Sequence, residues 1–128
     1  MRFADIDMFG HMNNATYLTF AESARVAYYT EVSGLTEPRE FGMTVASAKV
    51  DFLKPVFFGQ ALDIYTRAGR IGNKSWTLEH EMRDAETQEL MATVSIVCVH
   101  YDYRTGESKT IPPEIVAKIE QYEGRKLR

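Results

Sequence analysis

A chain of 128 residues, 45% hydrophobic and 26% charged, favours one domain spanning residues 1–128, with a modest core that subunit contacts would extend. The net charge of −3, with both signs mixed along the chain, excludes the basic footprint of a nucleic-acid binder. One cysteine rules out an intrachain disulfide, and neither a signal peptide nor an apolar run of ~20 residues is present, so a soluble cytoplasmic protein without a membrane partner is expected.

Residues 1–5 read as a short first strand. The turn-rich run Asp7-Met8-Phe9-Gly10-His11-Met12-Asn13-Asn14 follows. Asn13 and Asn14 suit a helix cap, because a side-chain oxygen there accepts from free N–H groups of the first turn. A helix is predicted from Asn14 to Glu31, about 27 Å long at ~1.5 Å per residue. Ala15, Tyr17, Leu18, Phe20, Ala21, Ala24, Val26, Ala27 and Tyr28 spread over most of its circumference, so it is expected to be largely buried. Gly34 is the natural stop.

After a loop from Pro38 to Gly42 the period changes to two. Ala46, Ala48, Val50 and Phe52 alternate with polar residues, as expected for a half-buried strand. Leu62, Ile64, Thr66 and Ala68 mark a second strand, and Gly72-Asn73 a hairpin turn. Trp76, Leu78, His80 and Met82 mark a third. The run from Glu89 to Tyr103 is apolar on both faces and is expected to be central. Pro112-Pro113-Glu114 opens a short final helix with Ile115, Ile119 and Tyr122 on one face. The basic C-terminus, Arg125, Lys126 and Arg128, reads as a solvated tail. This order predicts an α+β fold: a curved antiparallel sheet wrapped around one long helix. Such a sheet has exposed edges, which edge-to-edge self-association would cover.

The segment Arg2 to Arg25 holds the pattern R-x-x-D-x-D-x-x-G-H-x-N-N-x-x-Y, followed by Glu22 and Arg25 in the helix. It closely resembles the 4-hydroxybenzoyl-CoA thioesterase-like branch of the hotdog superfamily, and the element order extends that resemblance over essentially the whole chain. The resemblance implies hydrolysis of an acyl-CoA thioester, with Asp7 as nucleophile or general base and the backbone N–H of Asn14 polarising the carbonyl. The residues agree with such chemistry. A helix start offers unpaired N–H groups and roughly +0.5 of an elementary charge, and Asp7 stands just before it. Gly10 permits a tight turn and leaves space for substrate. His11 is a second candidate base. Asn13 and Tyr17 are candidate substrate contacts. Asp5 reads as structural, and Glu22 with Arg25 as a helix-surface ion pair. The hydroxybenzoyl-CoA enzyme carries bulky apolar and aromatic residues where His11, Asn13 and Asn14 stand, so an aromatic acyl group is not implied. The H-x-N-N form also resembles plant acyl carrier protein thioesterases, whose chains hold two hotdog units where this one has room for one.

In the resembling family the pantetheine arm lies between two subunits, which implies a dimer or a dimer of dimers. The turn Gly72-Asn73-Lys74-Ser75 matches the segment near the nucleotide, making Lys74 the first candidate for a phosphate and Ser75 its neighbour, ahead of Lys54 and Arg70. No metal or redox cofactor is expected: His11, His80 and His100 lack metal-ligand spacing, and Cys98 reads as a small core residue. His80 and His100 read as strand residues with ordinary hydrogen bonds. Neither a G-x-S-x-G elbow nor the dehydratase pattern of histidine beside Phe-Pro-Gly is present. Two rival readings stand beside the first: a thioesterase for acyl groups on a carrier protein, and an acyl-CoA binding module without turnover.

Overall fold

The computed structural model describes residues 1–34 and 42–128; apart from Gly42, the loop expected around Pro38 lies outside them. A 3-10 turn, Phe3–Asp5, replaces the expected opening strand. The cause is local. The Asp5 carboxylate accepts the Arg2 backbone N–H at 2.7 Å and the Arg2 guanidinium at 2.9 Å, which winds the segment instead of extending it. Only Ile6 keeps an extended pairing, a single bridge to Met12.

Helix α1 runs Asn14–Ser33 and stops at Gly34, whose φ of 72° turns the chain out of the helix. It is not buried around its circumference, as its composition had suggested. Tyr17, Ala21, Tyr28 and Tyr29 are covered by the sheet, whereas Ala15 and Ala27 are exposed and Leu18 is 42% exposed. One sheet can cover only one side of a helix.

Strands β1 (Met43–Phe52), β2 (Leu62–Ile71), β3 (Ser75–Asp84) and β4 (Leu90–Asp102) pair antiparallel in the order β1-β4-β3-β2. A two-residue β5, Glu107–Ser108, folds back on the end of β4; two residues are too few to show a period in the sequence. Ala92, Val94, Ile96 and Cys98 of β4 join Trp76, Leu78, His80 and Met82 of β3 to form the core. Helix α2, Pro113–Glu123, adds Val116 and Ile119 to it.

Two expectations fail at the margins of this sheet. β1 is not half-buried: Ala46 and Ala48 are exposed and Phe52 is 48% exposed. Ala48 and Val50 lie opposite the core residues Ile96 and Val94, so they occupy the core side of the sheet. Ala48 stays exposed and Val50 is only partly covered, because α1 packs further in, against Trp76 and Cys98. The C-terminus, in turn, is docked instead of solvated. Leu127 accepts the Ile71 N–H at 3.1 Å, and Arg125 donates to the Ala68 carbonyl at 2.6 Å. Arg128 donates to Asn73 and Ile111 carbonyls at 3.1 Å each. The tail thus caps part of the β2 edge and leaves the β1 edge bare. Among the described residues, no helix is long and apolar enough to cross a membrane.

Candidate active site

The loop between the 3-10 turn and α1 is built around Asp7. Its Oδ1 accepts the backbone N–H groups of Phe9 at 2.9 Å and His11 at 3.2 Å, the side-chain turn that aspartate forms with its own backbone. Its carbonyl accepts the Gly10 N–H at 3.1 Å. Gly10 has φ 82°, and a Cβ there would meet nothing within 4 Å. The positive φ accounts for the glycine as the expected tight turn requires, and the side facing the missing Cβ is open. Oδ2 of Asp7 makes no hydrogen bond among the described residues.

The donors of the helix start can be accounted for one by one. Asn13 N–H donates to the Asp5 carbonyl at 2.6 Å. Ala15 N–H donates to Asn13 Oδ1 at 3.0 Å, and Thr16 N–H to the Asn13 carbonyl at 2.9 Å. Asn14 N–H has no acceptor among the described residues. Asn13 is thus the cap, and the Asn14 side chain, expected to share that role, does not cap. The accounting leaves one free donor in the first turn.

Asn14 and Asp7 line one cavity of about 240 Å³, together with His11 and Tyr17 from the N-terminal segment and Phe52, Leu53 and Lys54 from the end of β1. Phe52, Leu53, Met12 and Pro55 were not singled out from sequence, and Lys54 was considered only for a phosphate. The signal available was the loss of period two after Phe52, where Leu53 and Lys54 N–H groups both turn onto the Met91 carbonyl at 3.0 Å. Lys54 pairs with Glu89 beside the cavity. Tyr17 is buried, edge-on to Phe52 at 4.9 Å. Burial pushes its hydroxyl above the usual range; a hydrogen bond from the Val56 backbone opposes this and the nearby Asp7 charge adds to it, so Tyr17 is neutral at physiological pH.

Other expected residues are placed elsewhere. His11 lines the cavity, but its ring packs edge-on to Phe57 at 5.0 Å and makes no side-chain hydrogen bond among the described residues. Asn13 is committed to the cap and does not line the cavity. Asp5 is buried and held by Arg2, whose guanidinium and backbone N–H keep its carboxyl below the usual range. Glu22 and Arg25 do not form the expected ion pair among the described residues. Lys74 and Ser75 sit at the far end of the sheet: Phe52 pairs with Ala92, but Ser75 pairs with Val99, seven positions along β4 or about 23 Å at ~3.3 Å per residue. A larger depression of about 570 Å³ lies on the outer face of the sheet, floored by Thr93 and Ser95 and flanked by the Arg67–Glu79 and Arg83–Glu81 ion pairs. It holds none of the motif residues.

Comparison with known proteins bears on the family and the fold. The family model described as the thioesterase-like superfamily matches residues 1–119. YsmA of Bacillus subtilis, an uncharacterised protein, is 31% identical over 108 residues, 84% of this chain and 73% of that one. The long-chain acyl-CoA thioesterase FadM of Escherichia coli is 24% identical over 124 residues, 91% of this chain and 89% of that one. A Thermus thermophilus thioesterase, crystallised with coenzyme A and zinc, superposes with a TM-score of 0.89 at 30% identity, covering 99% of this chain and 92% of that one. From its sheet order, its central helix and these matches, the chain belongs to the thioesterase-like superfamily and is a hotdog-fold thioester hydrolase.

Proposed function

We propose that this protein hydrolyses acyl-CoA thioesters to a free acid and CoA, without a metal or redox cofactor, at the cavity shared by Asp7 and Asn14. The observation that supports the reading is that Asp7, whose Oδ2 makes no hydrogen bond among the described residues, and Asn14, whose N–H has no acceptor among them, line the same cavity. The thioester oxygen accepts from Asn14 N–H, which stabilises the charge that develops on it. Asp7 then acts by one of two routes. Its Oδ2 adds to the carbonyl carbon and the C–S bond breaks, leaving a mixed anhydride that water hydrolyses. Alternatively, it takes a proton from water as the water attacks. Both end in acid and thiol. The relative named a long-chain acyl-CoA thioesterase, and the Thermus protein that binds coenzyme A, support CoA as the carrier.

The working unit in this reading is a dimer or larger homo-oligomer. β1 is a ten-residue terminal strand with one bare edge and uncovered apolar residues, Val45 and Phe52 among them. Antiparallel pairing of two β1 edges sets the Phe52 end of one chain beside the Met43 end of the other. It also brings the far end of the second sheet, with Lys74 and Ser75, to the side of Asp7, where the CoA phosphates would reach them. A thiol-release screen over short, medium, long, branched and aromatic acyl-CoAs tests the activity: release from at least one class is expected. No release from any of them sinks the reading.

A further inference from the structure

Exposed apolar side chains are concentrated on the two segments that bound the Asp7 cavity, the one before α1 and the one after β1. Phe3 is 82% exposed, Phe57 52% and Phe58 57%. The three rings are connected to one another and to the cavity. His11 lines the cavity, and its ring packs on Phe57 at 5.0 Å. Phe58 follows Phe57 in the chain, and its ring meets Phe3 edge-on at 6.0 Å. A single exposed phenylalanine needs no explanation, but a joined row beside a cavity is the kind of patch that binds something.

The row is also held in place. Phe57 bridges His11 through the backbone. Gln60 N–H donates to the Phe57 carbonyl at 3.1 Å, and Phe57 N–H donates to Gln60 Oε1 at 3.1 Å. Gln60 Nε2 donates in turn to Asp84 Oδ2 at 2.7 Å. Rings carried on a fixed turn lose little freedom when a ligand lies across them.

The size of the cavity indicates that ligand. At about 240 Å³, and ~30 Å³ for a water-sized group, it holds roughly eight such groups. The thioester and the atoms next to it take up much of this, which leaves room for a chain of only a few carbons. A longer acyl chain has to leave the cavity. On the Phe52 side lies the bare β1 edge, the surface a second copy covers in the reading above. On the His11 side the wall passes onto Phe57, and the apolar surface continues through Phe58 to Phe3.

Resting on the thioesterase reading above, we propose that Phe57, Phe58 and Phe3 form an acyl shelf outside the cavity, and that this shelf directs the protein to thioesters of long, unbranched fatty acids. The carbonyl end stays with Asp7 and Asn14, the first few carbons fill the cavity, and the rest of the chain lies across the three rings. Selection follows the methylene count. A methylene on an open shelf loses about half its contact with water, which favours binding by roughly twofold.

The test measures kcat/KM for thiol release from butanoyl-, octanoyl-, dodecanoyl- and hexadecanoyl-CoA, below the concentrations at which the longest form micelles. The wild-type protein is expected to gain about 100-fold from butanoyl- to hexadecanoyl-CoA, at roughly twofold for each methylene on the shelf. Phe58→Ser is expected to lower the hexadecanoyl-to-butanoyl ratio by roughly 10-fold, chiefly through KM of the longer substrate. Phe58→Leu, which leaves apolar surface in place, is expected to keep most of the ratio. Circular dichroism and sedimentation velocity check that fold and assembly persist in both variants. A wild-type kcat/KM that is flat or falls with chain length overturns the proposal and leaves the hydrolase reading standing, and this comparison needs no variant. An unchanged ratio in folded Phe58→Ser also overturns it, as does dissociation of the oligomer by that change, which would assign the rings to a second copy. Release from branched or aromatic acyl-CoAs but from none of these four likewise removes the shelf alone. No release from any acyl-CoA removes both readings.

Discussion

Asp7 and His11 clasp each other through the main chain: Asp7 N–H donates to the His11 carbonyl at 2.7 Å, and Asp7 Oδ1 accepts the His11 N–H at 3.2 Å. One oxygen of the carboxylate therefore holds the loop, and the other makes no hydrogen bond among the described residues. This division shapes the variants that separate the two roles.

Asp7→Asn keeps an Oδ1 acceptor for Phe9 and His11 and loses only the anionic oxygen. The loop should persist while kcat falls by about 10²–10⁴, the range for a positioned acid or base. Thiol release and a thermal melt measured on the same sample test this. Full activity in a folded Asp7→Asn protein would remove Asp7 from the mechanism.

Asn14→Pro deletes the one unclaimed N–H of the first turn. Asn14 is the first helical residue, a position where proline is tolerated, so stability should change little. The rate should fall by about 10²–10³, as for a lost oxyanion donor. Wild-type kcat in this variant would show that the carbonyl is polarised elsewhere.

Gly10→Ala separates backbone angle from space. The added methyl meets no neighbour, so any penalty comes from the left-handed backbone, at about 1–2 kcal/mol. Denaturant unfolding should give a destabilisation of that size. A neutral result would mean that the loop relaxes to another path.

Ala46→Pro tests the bare edge. Ala46 is the bulge residue of β1: Val45 pairs with Cys98 and Ser47 with Val97, and Ala46 has no partner on β4. Proline is tolerated at bulges and edges but obstructs pairing with a second chain. Sedimentation velocity should show the mass shifting towards that of one chain while circular dichroism is preserved. An oligomer of unaltered mass rules out pairing along β1.

His80 predicts a pH window. Burial holds its folded pKa at about 4, against an ordinary 6.5. Between these values the unfolded chain binds the proton and the folded chain does not. Stability should therefore fall as pH drops from about 6.5 to about 4, by up to about 1.4 kcal/mol per pH unit, and be unaffected by this group above that range. Asp102, held down to about 2 beside Lys109, acts at lower pH. Denaturant midpoints across the window should slope in the wild-type protein and flatten in His80→Leu. Equal slopes would assign the effect to other groups.

Much of the fold could be read in advance because its signals are local. Alternation in Leu62–Ala68 and Trp76–Met82 marked strands, and the doubly apolar Glu89–Tyr103 run marked the strand that proved to lie inside the sheet. Asn13 and Gly34 marked the ends of the helix. The opening segment was misread because a single ion pair, Arg2 with Asp5, outweighs a weak extended preference over five residues. The docked tail escaped notice because its partners, Ala68, Ile71 and Asn73, are more than fifty positions away in the chain.

The sequence by itself determined the order of the two helices and four long strands, the family, and which loop precedes the helix, since each depends on residue type at short spacing. Only the tertiary structure decided which N–H of that helix stays free, that Lys54 and Phe52 wall the cavity, and that Lys74 lies at the opposite end of the sheet. Those outcomes depend on chain segments that meet through packing and hydrogen bonding, and no periodicity along the chain encodes where two distant segments meet.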